Sequence, residues 1–78
     1  MASNTPHRFP VGTQYLSAGK HPNLCTVTHQ LTVTDQTGEI VKTYYASSHL
    51  FCGQTVTEDD VCDTTIARGI WRLNAGKD

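Results

Sequence analysis

Ten consecutive residues, CTVTHQLTVT at 25–34, alternate without a break between two kinds of side chain. The odd positions are Cys25, Val27, His29, Leu31 and Val33; the even ones are Thr26, Thr28, Gln30, Thr32 and Thr34. Successive side chains leave a strand on opposite faces, so a period of two rich in β-branched residues marks a half-buried strand. The odd set predicts an inner face with one histidine in it, and the even set a threonine ladder open to water. The repeated Thr-Val-Thr comes from that alternation and is no internal repeat.

The neighbouring segments predict a sheet around this strand. DQTG at 35–38 is a turn: Asp can bond the backbone two residues on, and Gly supplies the positive φ that ends such loops. EIVKTYYASSHL at 39–50 is then the return strand of a long hairpin. FCGQ at 51–54 reads as a second turn or bulge, and Thr55-Val56 as a short further strand. A first short strand is placed at 13–17, followed by the turn-forming SAGKHPN loop at 17–23. Thr57 as a cap before Glu58, Asp59 and Asp60 predicts a helix over 58–68, with Cys62, Ile66, Ile70 and Leu73 as its apolar stripe. Trp71 and Leu73 are expected to pack back on the sheet. The polar ends, 1–8 and 74–78, are expected to be flexible, leaving a single domain at 9–73. The fold class is mostly β (α+β): a small antiparallel sheet built on a central hairpin of about 24–34 and 39–50, with one C-terminal helix.

A chain of 78 residues buries only about 60% of the surface it exposes when unfolded, so its stability is marginal. Small scaffolds find help from disulfides, metals or partner subunits. Three cysteines, Cys25, Cys52 and Cys62, are an odd number, which is unlike a secreted disulfide framework. No signal segment is evident and no apolar run approaches the ~20 residues of a membrane span. A reduced, cytoplasmic protein is the expectation. The net charge of −1 argues against general attraction to nucleic acid.

The histidines and cysteines invite a metal reading, since His21, Cys25 and His29 are spaced H-x3-C-x3-H and His49 and Cys52 H-x2-C. On a strand, however, Cys25 and His29 lie roughly 13 Å apart at their backbones, whereas zinc needs donors within about 2.3 Å. No metal site is expected. Cross-strand pairs depend on hairpin register. With all of 35–38 in the loop, His29 faces Tyr44 and Cys25 faces Ser48; this register is preferred because it puts Ile40, Tyr44 and Ala46 on the inner face. With a three-residue loop and a bulge at Gly38, His29 faces Tyr45 and Cys25 faces His49. A slip of one residue exchanges the whole buried set. Only the second register offers a cysteine–histidine pair of the kind that activates nucleophiles, and no loop for an oxyanion hole or orienting acid accompanies it. P-loop, dinucleotide-glycine and G-x-S-x-G signatures are missing, and no cofactor is expected.

The order short strand, loop, long hairpin, short strand, closing helix resembles an SH3-like small barrel. Plasmid-borne type II dihydrofolate reductases share that plan, but their V-Q-I-Y motif is missing here and their activity is not implied. FPVGTQYLSAGKHPNLCTV and GQTVTEDDVCDTTIARGI are similar to short proteins carried by phages, prophages and other mobile elements. That resemblance implies an accessory or inhibitor protein binding a host or defence complex. The expectation is a non-enzymatic protein-interaction module, self-associating as a homodimer or bound to a larger target. Its surfaces would be Tyr44 and Tyr45 and the acidic Glu58, Asp59, Asp60 and Asp63. Alternatives are a nucleic-acid-binding small barrel using Arg8, Lys20, Lys42, Arg68 and Arg72, and a small enzyme built on Cys25 and His49.

Overall fold

The alternating segment is the second strand of an open, four-stranded antiparallel sheet in a computed structural model that describes residues 7–75. The chain runs β1 (Gln14–Leu16), β2 (Leu24–Thr34), β3 (Ile40–Phe51), β4 (Gln54–Val61) and α1 (Asp63–Ala75). Strand order is the same as chain order, β1-β2-β3-β4, as short connections favour. The result is a small α+β fold, mostly β, in which the sheet stays open and does not take the barrel form. No helix is long and apolar enough to cross a membrane among the described residues. Of the two termini expected to be flexible, residues 1–6 and 76–78 lie outside the described residues.

Hairpin register follows the second expected alternative at both ends and neither alternative between them. Asp35 N–H donates to Glu39 O at 2.9 Å, closing a three-residue loop, and Thr34 pairs with Ile40. At the far end Cys25 pairs with His49, Thr26 with Ser48 and Val27 with Ser47. Between these ends the pairing slips: His29 faces Ala46, Gln30 faces Tyr45 and Leu31 faces Tyr44. A bulge at Thr28 adds one residue to β2, and another near Val41 returns it to β3. The preferred pairings of His29 with Tyr44 and Cys25 with Ser48 do not form. Neither tyrosine lies opposite His29.

The bulge reverses the alternation. Cys25 and Val27 are fully buried on the inner face, but His29 is exposed. Beyond the bulge Gln30 shares the inner face with its partner Tyr45, while Leu31 and Val33 turn to the outer face with Tyr44 and Lys42. The expectation that all five odd residues form one inner face therefore fails at His29. Unbroken alternation in a sequence does not register an extra residue inserted against the partner strand.

Tyr15, Cys25, Val27, Tyr45, Val61 and Ile66 form the core, with Phe9 and Ile70 packed on it. Burying each of the larger apolar side chains contributes about 1.5–3 kcal/mol, so six such residues carry much of the fold. The hydroxyls buried in it are paired, as burial demands. The Tyr15 hydroxyl lies 2.7 Å from Ser47 Oγ, and Tyr45 Oη accepts the Arg8 and Phe9 N–H groups at 3.0 and 3.3 Å. His7 Nε2 donates to Leu31 O at 2.8 Å, and Gln30 Nε2 to Phe9 O at 2.6 Å. The segment at 7–9 is thus laid across the inner face of β2 and β3.

Helix α1 begins at Asp63, later than the expected 58, and continues to Ala75. Glu58, Asp59 and Asp60 belong to β4, because Thr57 pairs with Ser48, Glu58 with Ser47 and Val61 with Tyr45. Ladder hydrogen bonds and the burial of Val61 there outweigh a local helix-start signal. Cys62, expected in the apolar stripe, precedes the helix and accepts Ile66 N–H through its carbonyl at 3.2 Å. Ile66 and Ile70 do face the core, whereas Trp71, expected on the sheet, is 71% exposed. Gly69 explains how α1 sits so close to β1. A Cβ there would meet Leu16 O at 2.5 Å and Tyr15 Cδ2 at 2.6 Å.

Two substitutions test this geometry by urea denaturation. Gly69→Ala gains about 1 kcal/mol of helix propensity but forces α1 off β1, and a net loss of about 1–2 kcal/mol is expected; a gain would contradict the close approach. The second hairpin turns at Cys52 and Gly53, both at positive φ (52° and 79°) between the paired Phe51 and Gln54. That is the signature of a type I′ turn, which favours Asn before Gly. Cys52→Asn is expected to raise the Tm by about 2–5 °C, and a fall would contradict the turn assignment.

Candidate functional site

A cleft of about 370 Å³ opens where the inner face of the sheet, the β1–β2 loop and the start of α1 meet. Register builds its floor: Tyr15 pairs with Cys25 and Cys25 with His49, so the three side chains form one row across β1, β2 and β3. Ser47 and Glu58 form the next row with Val27. The loop adds Ser17, His21 and Asn23, the end of β4 adds Val61, and the helix start adds Thr65. The loop itself is pinned to β1, since Ser17 N–H donates to Asn23 O and Asn23 N–H to Ser17 Oγ, both at 2.9 Å.

Burial holds the protons on two groups of the floor, Tyr15 and Cys25. Burial pushes the Tyr15 hydroxyl up to about 12, the Ser47 hydroxyl offsets part of this, and the Cys25 thiol and the Glu58 charge add to it. Burial likewise pushes Cys25 up. Its thiol lies 3.6 Å from Asn23 O, which accepts from it, and 3.8 Å from His49 Nδ1. The cysteine–histidine pair of the second register is therefore formed, but with a buried thiol driven towards its neutral form. An activated nucleophile needs the opposite shift. The side chains of His21 and Glu58 make no hydrogen bond or ion pair among the described residues.

Cys62 behaves differently. The hydroxyls of Thr64 and Thr65 lie 3.1 and 3.2 Å from its sulfur, and with the backbone N–H of Thr65 they pull the thiol down to about 7. The sulfur acts as the cap of α1, satisfying donors that the first turn leaves open. Sequence reasoning missed this role by placing Cys62 inside the helix, although the threonines two and three residues on were a usable signal. Cys25, Cys52 and Cys62 are all free thiols.

The expected surface residues scatter. Tyr44 and Tyr45 point to opposite faces, as neighbours on a strand must. Tyr44 is half-buried on the outer face beneath Lys42, whose Nζ lies 5.0 Å from its ring centre. Tyr45 is fully buried and so presents no surface. Burial pushes its hydroxyl up, and the neighbouring Asp63 carboxylate adds to this. One Asp63 oxygen, Oδ1, is buried with no hydrogen-bond partner among the described residues. Asp60 holds Lys42 at 2.6 Å, while Glu58 faces the cleft on the other side of the sheet. The five basic residues do not form a groove: Arg8 lies over Phe9, Lys20 sits in the β1–β2 loop, Lys42 is on the outer face, and Arg68 and Arg72 are on α1, with Arg72 donating to Leu16 O at 3.2 Å. Among the described residues no group of three or more His, Cys, Asp or Glu is placed to hold a metal. A larger hollow, about 640 Å³, lies at the hairpin turn, where Asp35 Oδ1 is occupied by Thr37 and Glu39 N–H at 2.9 and 3.0 Å.

Raised values for buried acids have a definite sign. The stability held by protonated Tyr15 is complete below its ordinary value of 10.0 and is lost as pH rises through about 12. The urea midpoint is expected to fall progressively above pH 10, and less steeply in Tyr15→Phe; an unchanged midpoint through that window would contradict the buried floor. At pH 7.5, iodoacetamide is expected to label Cys62 readily and Cys25 only after unfolding, read by mass spectrometry of the peptides.

Compared with known proteins, the chain matches no family model, and no curated protein and no solved structure is significantly similar to it.

Proposed function

We propose that the protein is a non-enzymatic interaction module that works as a homodimer, joined through the outer face of an arm formed by the β2–β3 hairpin. The observation that carries this reading is the reversal at Thr28. It places Leu31 and Val33 beside Tyr44 on a face that α1 leaves uncovered, and Val33 is 41% exposed.

Within its own chain the arm has no third strand; only its base is held, through the His7–Leu31 and Gln30–Phe9 hydrogen bonds and the Lys42–Asp60 ion pair. β1 pairs only with residues 24–26, and β4 reaches no farther along β3 than Tyr45. Residues 29–34 and 40–44 therefore pair only with each other, and a two-stranded ribbon is marginally stable at best. Val33 remains exposed on its outer face, while the bulge residue Val41 and Ile40, opposite Thr34, are also exposed on the arm. Charge permits self-pairing. Lys42, the only Lys or Arg between residues 29 and 44, is neutralised by Asp60, so two copies of the face meet without like-charge repulsion. About a two-fold axis the same residues serve both partners. The resemblance to small phage and mobile-element proteins supports an accessory or inhibitory role for such a dimer on a host or defence complex.

Light scattering after size exclusion tests the dimer. The mass is expected at twice the 8.6 kDa chain at concentrations on the order of 100 μM, with Val33→Glu shifting it to monomer because two carboxylates would meet across the axis. Thr32→Glu, on the opposite face, should leave the dimer intact. A monomer throughout, or a dimer insensitive to Val33→Glu, would remove the reading.

A further inference from the structure

We infer that the inner-face cleft binds one positively charged amino or guanidinium group, supplied by a basic peptide side chain or by a free amine. This does not rest on the dimer, because the cleft and the arm's outer face lie on opposite sides of the sheet.

The cleft is lined by acceptors and lacks cations. Tyr15, His21, Asn23, His49, Glu58 and Thr65 supply its polar groups, and no Lys or Arg lines it. Glu58 brings a carboxylate that no basic side chain pairs with among the described residues, where the ion pair is Lys42–Asp60. The charge acts inward: it contributes to the upward shifts of both Tyr15 and Cys25 on the floor. His49 offers its Nε2 and His21 its ring nitrogens, none with a partner among the described residues; neutral imidazole can accept a hydrogen bond as well as donate one. A guanidinium matches a carboxylate with two parallel N–H donors, and an ammonium matches it as a point charge. The volume, about 370 Å³, suits a small group and its stem.

The positive end of α1 borders the cleft and would favour an anion if it were open. It is already engaged. The Cys62 sulfur lies within hydrogen-bond distance of the Thr64 and Thr65 hydroxyls, and the Asp63 carboxylate stands in the first turn. Field and shape therefore both favour a cation at the Glu58 side.

The test is an NMR titration of the His21 and His49 ring protons in the full chain at pH 7.5. The probes are methylguanidinium, spermidine and a capped Gly-Arg-Gly peptide, with phosphate and acetate as anionic controls. Saturable shifts of both histidines are expected with the cations, with a Kd on the order of 1 mM or tighter, and none with the anions. Glu58→Gln should weaken binding about tenfold or more, while Asp59→Asn, its exposed neighbour, should not. Tighter binding of the peptide would identify a docking site for basic side chains, and tighter binding of spermidine a site for free amines. No saturable shift, saturation by an anion, or equal affinity in Glu58→Gln would overturn the inference.

Discussion

Everything distinctive in this fold hangs on the two bulges that flank Ala46. Thr28 is the extra residue on β2, and the Asp59–Asp60 step supplies another on β4, where Asp60 adopts φ 62°. Both neighbours of β3 thus lengthen at the same level, and Ala46 between them is buried. Thr28 Oγ1 donates to Ala46 O at 3.2 Å, tying the bulge to β3. Bulges bend and twist strands and re-aim the side chains beyond them. Here they divide the sheet into a body, whose inner face α1 covers, and an arm that projects beyond it. The long dimension of 44 Å against 27 and 21 Å reflects that projection.

On the body side, unbroken pairing from Cys25 to Val27 lines up Tyr15, Cys25 and His49 and then Val27, Ser47 and Glu58. The first row gives a floor in which the Tyr15 and Cys25 side chains are buried and hydrogen-bonded. The second brings a carboxylate to its edge. Gly69 completes the enclosure by letting α1 approach β1 at backbone distance. On the arm side, the same bulge turns Leu31 and Val33 away from the core. A chain with so few buried residues would ordinarily keep them inside, and placing them outside is costly unless another surface covers them. The cleft belongs to the regular pairing before the bulge, and the arm's outward-facing Leu31 and Val33 to the inserted residue.

Much of the architecture was legible in the residue pattern. The strand at 24–34, its hairpin partner, the turn at Asp35–Gly38 and a helix carrying Ile66 and Ile70 can all be read from alternation, turn chemistry and helical spacing. The bulge at Thr28 was not legible, because it is a relation between strands and leaves the local alternation of β2 intact. The helix start was obscured for a related reason. Thr57, Glu58, Asp59 and Asp60 carry a helix-capping signature, yet Glu58 and Val61 are held in β4 by Ser47 and Tyr45. The cleft was hidden further still: His21, His49 and Glu58 are far apart in sequence, and only β1–β2 loop closure and β3–β4 register bring them together.

The central claim is that Thr28 sends Leu31 and Val33 to the outer face, where a second copy covers them. An isotope-filtered NOE experiment on a mixture of labelled and unlabelled chains tests both halves at once. The account predicts intermolecular NOEs to the methyls of Leu31 and Val33 and none to Gln30 or Thr32. Intermolecular contacts on the Gln30–Thr32 side, or NOEs placing Val33 in the core of its own chain, would contradict it.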